Sequence, residues 1–382
     1  MGSTFGRTLK TTVFGQSHSE AVGCVVEGFP SGFRINLDDL AAFMRRRSPG
    51  RNRFSTPRKE DDLPQFLGGL IDGNLTCGTP LAAIIANTNT RSSDYNGLRR
   101  VPRPGHADFT SWAKWVEARD VAGGGHFSAR LTAPLCVAGG IALQYLAHAG
   151  VSVCAHVSQV GPILDEMFCI RDNTPRGNAR LMEQIGQVRN SAATSFFATI
   201  SPTAGRQMEL IVDEVRQKGD SVGGAIECVA IGMPAGIGGP RYEGIQSQIA
   251  QLAFGIPAVR ALEFGAGFEV ASMRGSDNND PYGIVDGTIR PLTNNAGGTI
   301  GGITTGAPIS FRLAVKPTPS ISLEQQTVDL KTMQDTTLAV RGRHDPCVAV
   351  RAVPIVEAVM ALALLDSWLS FPSERDSVWR NE

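Results

Sequence analysis

The sequence predicts a single α+β domain spanning residues 1–382. Short strand-like runs bounded by glycine turns alternate with apolar helical stretches along the whole chain. No linker, low-complexity tract or abrupt change of composition divides it. One plan also occurs twice, at 126–150 and 343–366: a polar turn with histidine and arginine, then a long apolar helix. That repetition points to an internal duplication.

Composition narrows the function classes. Hydrophobic residues make up 42% and charged residues 19%, which excludes a disordered chain. The 43 glycines exceed the roughly 7% of an average protein, so tight turns carry much of the structure. A net charge of zero argues against broad nucleic-acid or membrane-surface binding. Seven scattered cysteines without a CxxC pair, several inside apolar runs, predict reduced core thiols and a cytoplasmic protein. The N-terminus has no apolar signal core. The stretch 352–371 contains Glu357 and Asp366, so it reads as a buried helix rather than a membrane span.

Taken in order, 11–15 and 21–29 read as strands joined by Gln16, Ser17, His18, Ser19 and Glu20. His18 is either a solvated loop residue or, between two serines, a proton-transfer group. Asn36 is a helix cap for 37–47, and the helix stops before Ser48, Pro49 and Gly50. LAAIIA at 81–86 is a strand, 109–118 a helix, 131–150 a buried helix ending at Gly150, and 151–161 a strand. A helix with loops is expected over 167–203, a helix at 209–220 and a strand at 225–238. Helix and strand recur over 243–275, loops dominate 275–306, a strand follows at 309–322, and the second long apolar helix ends the series.

The stretch 103–134 concentrates chemistry. It contains His106, a triple glycine at 123–125, His126, Ser128 and Arg130. Each glycine in a helix or strand interior costs roughly 1 kcal/mol relative to alanine, so three in a row belong where backbone approaches a ligand. Placed just before an apolar helix, they read as an anion or cofactor cradle. Arginines at 45, 46, 47, 51, 53 and 58 lie among prolines, glycines and hydroxyls, a loop suited to a small polyanion. Aromatic residues are not interleaved there for base stacking. Lys316, Thr318 and Ser320 in KPTPS suit a phosphate. The glycines of 275–306 do not follow a G-x-G-x-x-G pattern, which excludes a Rossmann site.

Ten blocks in order give the chain a resemblance to the chorismate synthase family along nearly its whole length. They are GQSHSEAVG (15–23), MRRRSPG with RFSTPRKEDD (44–62), NTNTRSSDY (87–95), RPGHADFT (103–110), GGGHFSAR (123–130), SVGGAIE (221–227), MRGSDNND (273–280), NNAGGTIGGI (294–303), KPTPSIS (316–322) and GRHDPC (342–347). The resemblance implies an α–β–β–α layered sandwich and a homotetramer. It implies conversion of 5-enolpyruvylshikimate 3-phosphate to chorismate and phosphate, with reduced FMN (FMNH2) as cofactor. It implies that His18 is the general acid for the departing phosphate, that His106 serves the reduced flavin, and that Ser17 and Asp345 relay a proton. Arg46, Arg47, Arg53, Arg130 and Arg343 are the implied substrate forks. His126, Phe127, Ser128, Pro257, Ala258, Gly301, Lys316, Pro317, Thr318, Pro319, Ser320 and Arg343 are the implied flavin contacts.

The chain departs from the family pattern in places. Gln16 stands where the family has glutamate, Ala122 where it has arginine, and His126 and Phe127 where it has arginine and serine. Leu131 replaces an acid, and Pro257 stands where asparagine is frequent. Because all the proton-transfer positions remain, activity is expected to survive. The competing reading is a non-catalytic flavin- or phosphometabolite-binding paralogue. Without an extra domain or a nicotinamide fingerprint, a separate flavin reductase is the expected source of reductant.

Overall fold

The computed structural model describes residues 2–50, 62–88, 97–285, 287–340 and 345–374. Arg53, Arg343 and most of NTNTRSSDY therefore lie outside the described residues. Two five-stranded antiparallel sheets frame the molecule. The first comprises β1 (Thr4–Phe5), β2 (Lys10–Gly15), β3 (Ala21–Glu27), β4 (Gln65–Gly68) and β5 (Leu81–Ala86), ordered β1-β2-β3-β5-β4. The second comprises β6 (Ser152–Val160), β7 (Ile163–Leu164), β8 (Gly224–Ile231), β9 (Val259–Phe264) and β10 (Ile309–Val315), ordered β9-β10-β8-β6-β7.

The helices are α1 (Leu37–Arg47), α2 (Asp108–Trp115), α3 (Thr132–His148), α4 (Pro175–Thr194), α5 (Pro202–Gln217), α6 (Ile245–Gly255), the single turn α7 (Gly275–Asn278) and α8 (Ala349–Ser370). Their starts follow local chemistry. The Asn36 side chain accepts from the Asp38 and Asp39 amides, as the sequence predicts for a cap. Thr174 and Ser201 cap α4 and α5, each with proline in the first turn.

The α+β class holds, and the order of layers is set by the two long apolar helices. α3 packs on β3 and β5 of the first sheet, α8 packs on β6 and β8 of the second, and α3 and α8 pack on each other. The layers thus run sheet, helix, helix, sheet, with α4 and α5 touching β6 from outside this stack. This order differs from the α–β–β–α sequence implied by resemblance. The physical reason is visible in composition: a helix apolar on every side needs burial on every side. α3 and α8 have that character and are buried along most of their lengths, α8 from Ala352 to Trp368 without a break. Both are long and apolar enough to cross a membrane, yet most of their residues are buried inside the protein. Cys24, Cys136, Cys154 and Cys347 are free thiols in this core, and burial pushes each up to about 12.

One polar cluster is sealed in the second sheet. His156 on β6 is fully buried, with Nδ1 3.1 Å from Asp165 and Nε2 2.9 Å from Glu227 on β8. Burial alone would lower the imidazole; the hydrogen bonds it donates to Asp165 and Glu227 outweigh it and raise its pKa above 6.5. A raised folded value means the stabilisation is complete below about pH 6.5 and is lost as pH climbs through the folded value. His156→Gln is therefore expected to cost about 3 kcal/mol at pH 6 and less at pH 9. Urea denaturation at both pH values checks this, and parallel wild-type and variant losses would contradict it.

Candidate active site

The site is built on the triple glycine. Gly123, Gly124 and Gly125 have φ of 61°, 87° and 54°, so all three are in the left-handed region that side chains resist. A Cβ on Gly123 would stand 2.6 Å from His18 Nε2 and collide with Ser17 Oγ. A Cβ on Gly124 would stand 3.2 Å from His106 Nε2. The two histidines, 88 positions apart, thus press the Nε2 edges of their rings on adjacent glycines. Ser17 is buried, donates its amide to Gly125 O (3.1 Å) and accepts from Ser128 Oγ (3.2 Å). The β2–β3 loop is fastened to the glycine turn by these bonds.

His106 is held from the opposite side. Its Nδ1 lies 2.6 Å from Asp108 Oδ1, and Arg103 forks onto the same carboxylate through Nε (2.7 Å) and NH2 (2.9 Å). Arg103 also reaches Ser320 Oγ at 3.2 Å. Burial would raise Asp108, but hydrogen bonds and charge from Arg103 and His106 hold it far below the usual carboxylate range. The aspartate two residues after His106 stands out in the sequence, but neither Asp108 nor Arg103 is given a role there. The signal available was the i, i+2 spacing of His106 and Asp108 inside one motif block.

The 316–320 loop ties this turn to the rest of the site. Lys316 Nζ donates to Gly105 O, Pro319 packs on Gly105, and Thr318 Oγ1 donates to Asp345 O at 2.8 Å. The Lys316 amide donates to Ala258 O (3.0 Å), and Ala258 itself has a φ of 76°. Asp345 accepts from Arg351 NH1 at 2.6 Å. It shares a cavity of about 40 Å³ with Arg47, Ala129 and Pro257. Positions 17, 18, 106, 128, 257, 258, 316–320 and 345 are thereby brought together.

The arginines form a buried lattice. Arg47 gives NH1 to Asp62 (2.6 Å), Nε to Thr132 Oγ1 (3.2 Å) and NH2 to Ala129 O (2.9 Å). Arg130 gives NH1 to the other Asp62 oxygen and Nε to Asn87 Oδ1 at 2.7 Å. Asp62, with a side chain 0% exposed and a φ of 52°, is the joint between them. The two guanidiniums keep its pKa low against the burial that would raise it. Arg46 instead forks onto Glu357 of α8 at 2.6 and 3.0 Å.

Of the other expected flavin contacts, His126 lines the same cleft as Ser128 and Pro257, whereas Phe127 and Gly301 do not line it. His126 Nδ1 donates to Gly15 O (3.2 Å), leaving Nε2 to accept from Ser3 Oγ (3.1 Å). Phe127 packs against Trp115, with ring centroids 5.9 Å apart. Gly301 lies in the turn of the hairpin Thr299–Ile300 and Ile303–Thr304, and the adjacent Gly302 meets Gly244 at the start of α6. Pro257 follows the other end of that 11-residue helix, roughly 16 Å away at 1.5 Å per residue.

Ionisable groups held at a glycine wall, with cations behind them, define an acid–base enzyme for an anionic substrate. The chorismate synthase family model matches residues 9–369. The chain is 48% identical over 376 residues to chorismate synthase of Lancefieldella parvula, covering 98% of each chain. It is 40% identical over 365 residues to that of Korarchaeum cryptofilum, covering 96% of this chain and 97% of the other. It is also similar to a crystal structure of chorismate synthase, with a TM-score of 0.71, 25% identity, and coverage of 96% of this chain and 93% of that one. The chain belongs to the chorismate synthase family. It is a carbon–oxygen lyase acting on a phosphate, 5-enolpyruvylshikimate 3-phosphate, and releasing chorismate.

Family membership implies a flavin, and the residues present fit one. Lys316 is lowered first by burial and then by nearby Arg260, an arrangement of two cations that favours an anion between them. A cleft of about 260 Å³ is lined by Phe5, Thr11, Val13, Ser128, Leu135 and Pro257 among others, and Thr11 Oγ1 is buried without a described partner.

Gly123→Ala should leave the protein folded and slow turnover by about 100-fold, because a displacement of about 1 Å at reacting groups has that effect. Steady-state rates beside a melting curve check it. Asp62→Ala strands two buried guanidiniums and should cost about 3–5 kcal/mol, read as a lowered urea midpoint.

Proposed function

We propose that His18 and His106, packed on the adjacent residues Gly123 and Gly124, are the acid–base pair of a reduced-FMN-dependent 1,4-elimination. The observation that carries this reading is the packing of both Nε2 edges on adjacent residues that have no side chain. His18 holds a proton for the phosphate as it departs. A phosphate dianion is a poor leaving group until protonated or surrounded by cations, and an imidazolium can donate that proton. His106 holds or stabilises charge at the Gly124 end of the wall. Ser17 with Asp345 carries away the proton lost from carbon, and Arg351 keeps the Asp345 carboxylate aimed. What the flavin supplies when bound is transient electron density that eases expulsion of phosphate.

Arg46, Arg47 and Arg130, together with Arg53 and Arg343, provide the positive field for a substrate with two carboxylates and a phosphate. Lys316 and the hydroxyls of Thr318 and Ser320 serve the cofactor. The chain works as a single-domain subunit of a homotetramer in the cytoplasm, and a separate flavin reductase supplies the reductant. The departures at His126 and Phe127 do not favour a non-catalytic paralogue, because neither side chain contributes to the acid–base wall.

The test is anaerobic mixing of the protein, chemically reduced FMN and 5-enolpyruvylshikimate 3-phosphate, with phosphate release and chorismate absorbance followed together. Wild-type protein should form both products in equal amounts. His18→Ala and His106→Ala should each slow turnover by about 100- to 10,000-fold while melting like wild type. Absence of product from the wild type would sink the reading, and full rates in both variants would remove the assigned roles.

A further inference from the structure

His106 presents one nitrogen to the glycine wall, and which nitrogen carries the proton decides what it can do there. The turn that holds it answers the question. Nδ1 has two polar neighbours, Asp108 Oδ1 at 2.6 Å and Arg103 NH2 at 3.1 Å. A carboxylate only accepts and a guanidinium only donates, so Nδ1 can satisfy one of them, not both. The shorter contact is to the carboxylate. Arg103 NH2 already donates to the same Asp108 oxygen at 2.9 Å and loses nothing if Nδ1 donates as well.

Asp108 is constrained on every side. Its Oδ2 accepts from the Arg103 amide (3.0 Å) and from Arg103 Nε (2.7 Å), and its side chain is 3% exposed. It is also the first residue of α2, where the helix dipole favours a negative charge. Arg103 is fixed in turn by Ser320. The carboxylate therefore remains ionised and stationary while the imidazole is the group free to change.

We propose that Asp108 is the positioning residue that fixes His106 in its Nδ1–H tautomer, and that Arg103 is the cation that keeps Asp108 aimed. The consequence is a lone pair at Nε2 directed at the Gly124 face. That nitrogen accepts a proton from a group seated there and returns it, while the imidazolium formed in between is stabilised across the ring by Asp108. The proposal rests on the reading of His106 as an acid–base group and adds the mechanism that prepares it.

The tautomer is measurable without cofactor or substrate. Long-range proton–nitrogen correlation spectra of 15N-labelled protein at pH 8 distinguish Nδ1–H from Nε2–H imidazoles, and the His106 signals are those lost in His106→Ala. Wild type should show Nδ1–H. Asp108→Asn, whose amide can donate to Nδ1, should show Nε2–H and a kcat lowered by about 100-fold or more with little change in KM. Asp108→Glu should retain Nδ1–H and recover part of the rate. An Nε2–H signal in the wild type overturns the proposal whatever the variants do. A folded Asp108→Asn that keeps Nδ1–H, or turns over within about threefold of wild type, does so too. Full activity in His106→Ala would instead remove the acid–base reading itself, with the tautomer result unaffected.

Discussion

The site depends on a backbone constraint: three consecutive residues with φ between 54° and 87°, a run that L side chains resist. Its effect is to replace side-chain bulk with space at the one place where two distant segments meet. Ser17 and His18 arrive on the loop after β2, and His106 on the turn before α2; without the glycines neither could reach the other's vicinity. Glycine loses more conformational freedom on folding than any other residue, so such a run persists only where its surroundings fix it. They do so here through Ala122 N to Asp120 Oδ1, Gly124 N to Val121 O and Ser17 N to Gly125 O. α3, which starts a few residues later and is buried between the layers, anchors the downstream end.

Around that wall the charges are arranged for position more than for stability. Arg47, Arg103 and Arg130 are all 5% exposed or less; Arg47 and Arg130 share the carboxylate of Asp62, and Arg103 pairs with Asp108. Removing ions from water offsets most of what their pairing returns, so a buried pair adds little net stability compared with an apolar replacement. What it adds is direction. A guanidinium fork accepts a carboxylate in few orientations, and Asp62 between two forks has almost none left. The turn at 103–108, the glycine turn and the approach to α8 are thereby fixed relative to one another. Preorganisation of this kind is what acid–base chemistry on a dry, charged substrate requires.

Local features were legible in the sequence, and pairings across the chain were not. Asn36 with its helix, the strand at 81–86 and the two apolar helices follow from periodicity and capping, which act over a few residues. The basic character of 45–47 was equally plain, but nothing there says that Arg46 faces Glu357, 311 positions later, or that Arg47 turns inward to Asp62. Such partners are chosen by packing, after the layers form. The layer order was missed for a related reason: α3 and α8 reveal their burial, but burial alone does not say which elements cover them. Asp108 was visible in the sequence as the aspartate two residues after His106, but its place at the start of α2 gives such a residue an ordinary explanation in the helix dipole. Its second role, on His106, is visible only in three dimensions.

His126 and Phe127 look in sequence like damage to the cofactor site, since a family arginine and serine are replaced. The structure places His126 on the rim of the cleft that Ser128 and Pro257 line, and Phe127 outside it. His126 bonds to Ser3 and Gly15, tying the glycine turn to the first sheet, and Phe127 covers Trp115. Neither contributes a charge or a proton to the wall. The positive charge that an arginine would have brought is available from Lys316, with Arg260 close enough to lower it. An ammonium whose charge is already disfavoured by burial and a neighbouring cation gains more from a bound anion than an exposed one does, because the anion removes both penalties together. Lys316 belongs to the loop that also meets Arg103 through Ser320 and Asp345 through Thr318.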